Sequence, residues 1–203
     1  MPPQERPIPI NIAQPQQEPL PYGRWAEALA TQLRAAMANI ETDETLGEIG
    51  EIAWFPDRTL AGRTYVPASA ITANGLEIFG HVSYTRDHAG AEATDFEAYA
   101  DYTDETAAAN PDWTLDLRDN EIGEWRGPEG RTGVITLVWG DALVDNGAVA
   151  TTELGPTTTD QCILAESRFT LVSLDAYTGD YVEVKLFGER GAELAAESLY
   201  EDE

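Results

Sequence analysis

Two histidines, His81 and His88, stand seven residues apart, with Asp87 and Asp95 close to them in the chain. Imidazoles plus a carboxylate are the ligand set of a zinc-like ion. Ser83, His81 and Asp95 are, by residue type, the members of a nucleophilic triad. The spacing supports neither. His81 falls in a run expected to be a strand, and an odd offset would put His88 on the opposite face of an unbroken one. Only a turn would bring the two together. The expectation is a hydrogen-bonded strand histidine and an exposed loop histidine, with no metal and no cofactor.

Carboxylates are the next candidates. Glu121 and Glu124 lie beside Trp113 and Trp125, and paired acids next to sugar-stacking indoles suit glycoside hydrolysis, which needs two carboxyls roughly 5–10 Å apart. Acids are so numerous here that their presence carries no information, and the expectation is a solvated hairpin with its tryptophans in the core. Asp116, Asp119, Glu121 and Gly123 loosely follow a calcium loop, but Arg118 occupies the second ligand position. The chain has no Walker phosphate loop, no G-x-G-x-x-G after a strand, no G-x-S-x-G and no H-E-x-x-H. Cys162 is the only cysteine, so neither a disulfide within the chain nor a cysteine-rich zinc site is available. No catalytic residue is assigned, and the reading leans away from an enzyme.

The residues with most promise for a specific contact are basic or apolar. There are 37 acidic and 12 basic residues, a net charge of −25, and Lys185 is the single lysine. Charged residues total 24%, an ordinary amount, so the anomaly is one of sign. Such a surface repels phosphates, which disfavours nucleic acid and anionic lipid as partners. Against that background Arg58 and Arg63, directly after Trp54, Phe55 and Pro56, stand out. An arginine there pairs either with the protein's own acids or with a partner's carboxylate or phosphate.

These residues must be positioned by the elements around them. Residues 1–21 hold seven of the twelve prolines, which bars helix interiors and central strands and predicts an extended arm. Ile8, Ile10 and Ile12 give that arm apolar teeth. Trp25, Leu29, Leu33, Met37 and Ile40 recur at helical spacing and predict a long amphipathic helix over 23–44. Beyond it the period changes to two. Strands are expected near 48–55, 63–67, 76–84, 95–102, 112–118, 121–126, 131–139, 148–153, 161–175 and 180–187. Turns are expected at Asn74-Gly75, Asn146-Gly147 and Thr178-Gly179-Asp180, with weaker ones at Asp119-Asn120 and Glu129-Gly130. Residues 89–109 suit helix or strand. Residues 191–200 suit a short helix, fraying into the acids 201–203.

The fold class expected is therefore mainly β, an antiparallel sandwich or barrel of about 8–10 strands with one long N-terminal helix, α+β being the variant. The organisation is an arm, 1–21, and a single helix-plus-β domain, 22–203. No apolar run approaches the roughly 18 residues of a membrane span, and no signal-peptide pattern opens the chain, so a cytoplasmic location or a place in an assembled particle is expected. The function expected is non-enzymatic: a structural or protein-interaction protein, with a protein partner or self-assembly through the arm and with Ile8, Ile10, Ile12, Trp54, Phe55, Arg58 and Arg63 as contact residues. Two alternatives stand beside it. One is a small-molecule-binding barrel or sandwich, with or without enzymatic activity. The other is an acidic mimic of DNA, which predicts carboxylates gathered on one elongated face.

Overall fold

The computed structural model describes residues 13–20, 22–88, 91–126, 132–174 and 182–199, with the backbone alone for Arg24. The described residues are mainly strand, in antiparallel ladders, and none of their three sheets closes into a barrel. They form two compact units, one of residues 14–112 and the other of Ala13 with residues 113–199.

In the first unit β3 (Arg58–Leu60), β4 (Arg63–Ile71), β5 (Glu77–Thr85) and β6 (Thr94–Thr103) follow one another across a sheet, with β1 (Ala13–Gln14) outside β3 and β2 (Ala53–Trp54) paired to β4. Alternate residues of these strands point to one face. There Val66, Ala68 and Ala70 of β4 and Ile78, Val82 and Tyr84 of β5 form a core with Trp25, Leu29, Leu33 and Met37. The last three are buried and lie on α1 (Ala26–Met37) at intervals of four, the stripe of a single helix face. Asn74-Gly75 turns β4 into β5, with Gly75 at φ +83°.

The long helix expected over 23–44 is not what forms. One 3-10 turn, Gly23–Trp25, leads into a helix of 12 residues. Beyond Ala38 come Asn39, Glu41, Thr42, Asp43 and Glu44. Three of these are acids at the helix end that already carries partial negative charge, and Asn39 and Thr42 are poor helix formers. Asn39 instead donates its side-chain amide to the Ala35 carbonyl at 2.9 Å, which closes the end. Leu33 has no exposed surface. Leu33→Ala is expected to cost about 3 kcal/mol through lost burial and a cavity, seen as a lower urea midpoint in equilibrium unfolding. The ambiguous stretch 89–109 carries β6, whose Asp95, Glu97 and Asp101 put charge on an edge strand, a known guard against strand addition.

The second unit contains β7 (Leu115–Arg126), β8 (Thr132–Ala142), β9 (Gly147–Leu154), β10 (Thr157–Ile163), β11 (Arg168–Leu174), β12 (Val182–Gly188) and β13 (Glu193–Ser198). One sheet runs β11-β8-β7 and the other β10-β9-β12-β13. Leu115, Val138, Phe169 and Leu171 of the first share a core with Ala150, Val184, Leu186 and Ala195 of the second. A bulge near Thr158 and Asp160 buries Asp160, whose Oδ2 accepts the Val172 N–H of β11 at 2.8 Å and ties one sheet to the other.

Several sequence expectations are corrected here. Asp119-Asn120 is no turn: β7 passes straight through it and bulges only between Glu121 and Gly123. The run 161–175 is two strands, broken where Glu166 and Ser167 take positive φ. Asn146-Gly147 does not close a hairpin but carries the chain from β8 in one sheet to β9 in the other. Residues 191–199, the described part of the run expected as a helix, hold none. Their alanines favour one, but Glu193–Ser198 pair along β12, and that ladder overrides the propensity. Glu129-Gly130, Thr178-Gly179-Asp180 and the tail 201–203 lie outside the described residues.

Candidate functional site

The segment Trp54–Arg58, singled out for its aromatics and arginine, is the buried edge of the first sheet. Trp54 meets Tyr22 edge-on, with ring centroids 6.1 Å apart. The Phe55 N–H bonds the Pro67 carbonyl at 3.0 Å, and the Phe55 carbonyl accepts the Tyr22 hydroxyl. Trp54, Phe55 and Arg58 are 7%, 3% and 3% exposed. Each is therefore part of the unit's interior. Ile8, Ile10 and Ile12 lie outside the described residues.

Arg63 opens β4 and is held by the protein's own groups. One guanidinium nitrogen donates to Ser83 Oγ at 3.0 Å and to the Asp95 carbonyl at 3.1 Å. The other pairs with the Asp95 carboxylate and with Glu97 at 3.4 Å. The sheet register explains the grouping, since Arg63 stands opposite Thr85, and Thr85 opposite Thr94. Ser83 and Asp95 thus share Arg63. His81 is buried between two cross-strand rings, 5.7 Å from Tyr65 and 5.8 Å from Tyr99, while His88 is exposed. Among the described residues no three His, Cys, Asp or Glu side chains gather into a group that could hold a metal ion.

One residue that sequence reasoning passed over organises this edge. Asp57 is fully buried, and its carboxylate faces the backbone of a strap formed by residues 14–20. Gln17 N–H reaches Oδ1 and Oδ2 at 3.1 and 3.2 Å, and Glu18 N–H reaches Oδ1 at 3.3 Å. Arg86 fastens the strap a second time, donating to Glu18 Oε1 at 2.9 Å and Gln17 Oε1 at 3.1 Å. Its guanidinium also lies over the Tyr84 ring, 5.7 Å from the centroid. Pro19 offers its carbonyl to Tyr22 N–H at 2.8 Å. Burial pushes the Asp57 carboxyl up to about 6, although the strap amides pull the other way. Burial and the nearby Asp57 charge also hold the Tyr22 hydroxyl far above its ordinary range. The available signal was an acid directly after Trp54-Phe55-Pro56, where an apolar setting makes an unpartnered carboxylate costly.

The second unit holds a separate charged group. Asp116 and Asp141 stand directly opposite on β7 and β8. Arg118 pairs with Asp116 at 2.8 Å, Arg168 approaches Asp141 at 3.7 Å, and Ser167 donates to Asp141 at 3.3 Å. Burial raises both carboxyls, and the Asp116 charge raises Asp141 further. Two acids facing each other, each with its own arginine, make a charged quartet across β7 and β8. Elsewhere in this unit a cleft of about 430 Å³ is lined by Asn146, Gly147, Gly188, Glu189, Arg190 and Ala192. Cys162 is a half-buried thiol beside the second core.

Compared with protein-family models, curated proteins and solved structures, the chain matches none of them.

Proposed function

We propose that this protein is a non-enzymatic structural subunit that self-assembles through its proline-rich arm. The observation that supports the reading is the strap. Residues 14–20 are fixed to the first unit by the Gln17 and Glu18 amides on Asp57 and by the Arg86–Glu18 pair. A contact arm works best from a fixed origin, because anchoring lowers the ordering cost paid on binding. The arm's own sequence fits the task. In an extended chain Ile8, Ile10 and Ile12 share one side, and Pro7 and Pro9 fall on alternate positions, where a missing N–H is tolerated at a sheet edge.

The chemistry-bearing groups point the same way. Arg63, Arg86, Arg118, Arg168 and Lys185 are each engaged by acids of the same unit. With these five bases so occupied and the chain at −25, the favoured partner is another protein surface and not a polyanion. A two-sheet sandwich body and a place in an assembled particle complete the proposal.

The test is removal of residues 1–12, which leaves the strap and its bonds to Asp57 and Arg86 intact. The mass in solution by light scattering is expected to fall from an oligomer to a single chain. An oligomer of unchanged mass would overturn the reading.

A further inference from the structure

The first sheet has a second face, turned away from α1. Residues directly opposite in a ladder, and alternate residues along a strand, point to the same side. The register therefore gathers Tyr65 of β4, Phe79 and His81 of β5, and Glu97, Tyr99 and Asp101 of β6 on that face. None of them belongs to the core under α1. Tyr65 and His81 are buried and form the floor, and their rings and that of Tyr99 follow one another at 5.7 and 5.8 Å. Phe79 and Tyr99 are half-buried, while Glu97 and Asp101 are exposed. The face is a row of rings with acids along its β6 side.

We infer that this aromatic face is where the arm docks, and that it takes residues 6–12 of a second copy, with Pro7 and Pro9 on the rings and Arg6 against Asp101 and Glu97. The inference rests on the assembly reading given above and names the surface at which that assembly forms.

The chemistry of the two sides matches. Proline-rich segments dock on aromatic surfaces because their chain is already extended, so little conformational freedom is lost on binding. Arg6 is the single base within residues 1–21, and it directly precedes Pro7. Asp101 accepts the Tyr99 hydroxyl at 3.3 Å and the Tyr102 N–H at 2.8 Å, and among the described residues no base pairs with it. Arg63 reaches Glu97 only at 3.4 Å. In a chain at −25 most surfaces of two copies repel each other. A base carried to an acidic rim is the one attractive charge contact that the arm's side chains can make, and it fixes where along the face the arm lies.

An exchange of charge between arm and face tests this on the full chain, with circular dichroism checking that each variant folds as the parent does. Arg6→Glu and Asp101→Arg are each expected to raise the concentration at which the oligomer forms roughly tenfold, read by light scattering over a dilution series. Mixed in equal amounts, the two variants bring opposite charges together between unlike copies, and the oligomer is expected to return. Alanine at both Pro7 and Pro9 is expected to weaken assembly with no change of charge. Assembly that either charge variant or the proline variant leaves unchanged would overturn the inference. So would a mixture that assembles no better than its components, which is the result of a contact made within one chain. Loss of the oligomer on deleting residues 1–12, with both charge variants unaffected, would keep the arm and reject this face. An unchanged mass on that deletion would reject the arm itself, so the two failures are distinct.

Discussion

Moved from pH 7.5 to pH 4.5, the protein is expected to become more stable, by about 2 kcal/mol from Asp57 alone. Most carboxylates act in the other direction, because ion pairs and hydrogen bonds usually lower their pKa in the fold. Asp57 is raised from 3.8 to about 6, since burial outweighs the amides that favour its charge. A group that binds its proton more tightly folded than unfolded adds stability as the pH falls. The window opens as pH drops through about 6 and closes near 3.8, below which both states are protonated. Above pH 6 the folded state carries the whole cost of an ionised, buried acid, on the order of 3 kcal/mol. In the second unit burial raises Asp116, Asp119 and Asp141 as well, so their contributions have the same sign. Loss of negative charge also eases the self-repulsion of a chain at −25. Urea unfolding at the two pH values measures the effect. In Asp57→Asn the share due to the first unit should disappear, leaving the variant the more stable protein at pH 7.5. A midpoint that falls on acidification would refute this account of the buried acids.

The second large effect is expected from one methyl group. Gly80 lies mid-strand on β5, opposite Ala68 on β4 and Ala100 on β6. A Cβ there would run into the Tyr99 carbonyl oxygen and stand 2.8 Å from Ala100 Cα. Both obstacles are backbone in a paired strand, so no side-chain rotation relieves them. The row Ala68–Gly80–Ala100 belongs to the face that α1 covers, and the sheet cannot move aside without disturbing Leu29 and Leu33. Gly80→Ala is expected to cost about 3 kcal/mol or more, beyond the usual range for overpacking. Circular dichroism and urea unfolding would show it, and a variant within about 0.5 kcal/mol of the parent would contradict the tight approach of β5 and β6.

The strands were legible because period two survives in short stretches such as Val182, Val184 and Leu186, which are buried, while Glu183 and Lys185 between them pair with each other. The helix was legible from Leu29, Leu33 and Met37, but its end was not. Ile40 keeps the helical spacing and packs on the first core from outside the helix, so periodicity alone ran past the true end at Met37. Strand β13 was misread because Ala195 and Ala196 favour a helix locally, and only pairing with β12 decides otherwise. The two units were not legible either, since Asn110-Pro111 before the division reads as one turn among many and no longer linker marks the chain there.

At the candidate site, sequence singled out the segment Trp54–Arg58 for its aromatics and arginine and passed over the acid within it. Trp54, Phe55 and Arg58 looked like contact residues because they are large or basic, and they are interior. Asp57 between them is the residue that meets the strap. Its partners are 39 and 40 residues away, Gln17 and Glu18 bind through backbone N–H groups that any residue supplies, and no pattern of side chains could announce the pairing. Arg63 likewise finds Asp95 and Glu97 only through the β4–β5–β6 register.

The central claim is that the arm joins copies of this chain, and the most direct measurement is molar mass by light scattering during size exclusion. It is made on the full chain and on the chain lacking residues 1–12, at about 0.05 M and 1 M salt. Acidic subunits repel less when salt shortens the Debye length from roughly 14 Å to roughly 3 Å. The full chain is therefore predicted to elute as a multiple of 22.1 kDa, most completely at 1 M, while the shortened chain stays single at both. A full chain of 22.1 kDa at both salt concentrations, or a shortened chain that assembles equally well, would contradict the account.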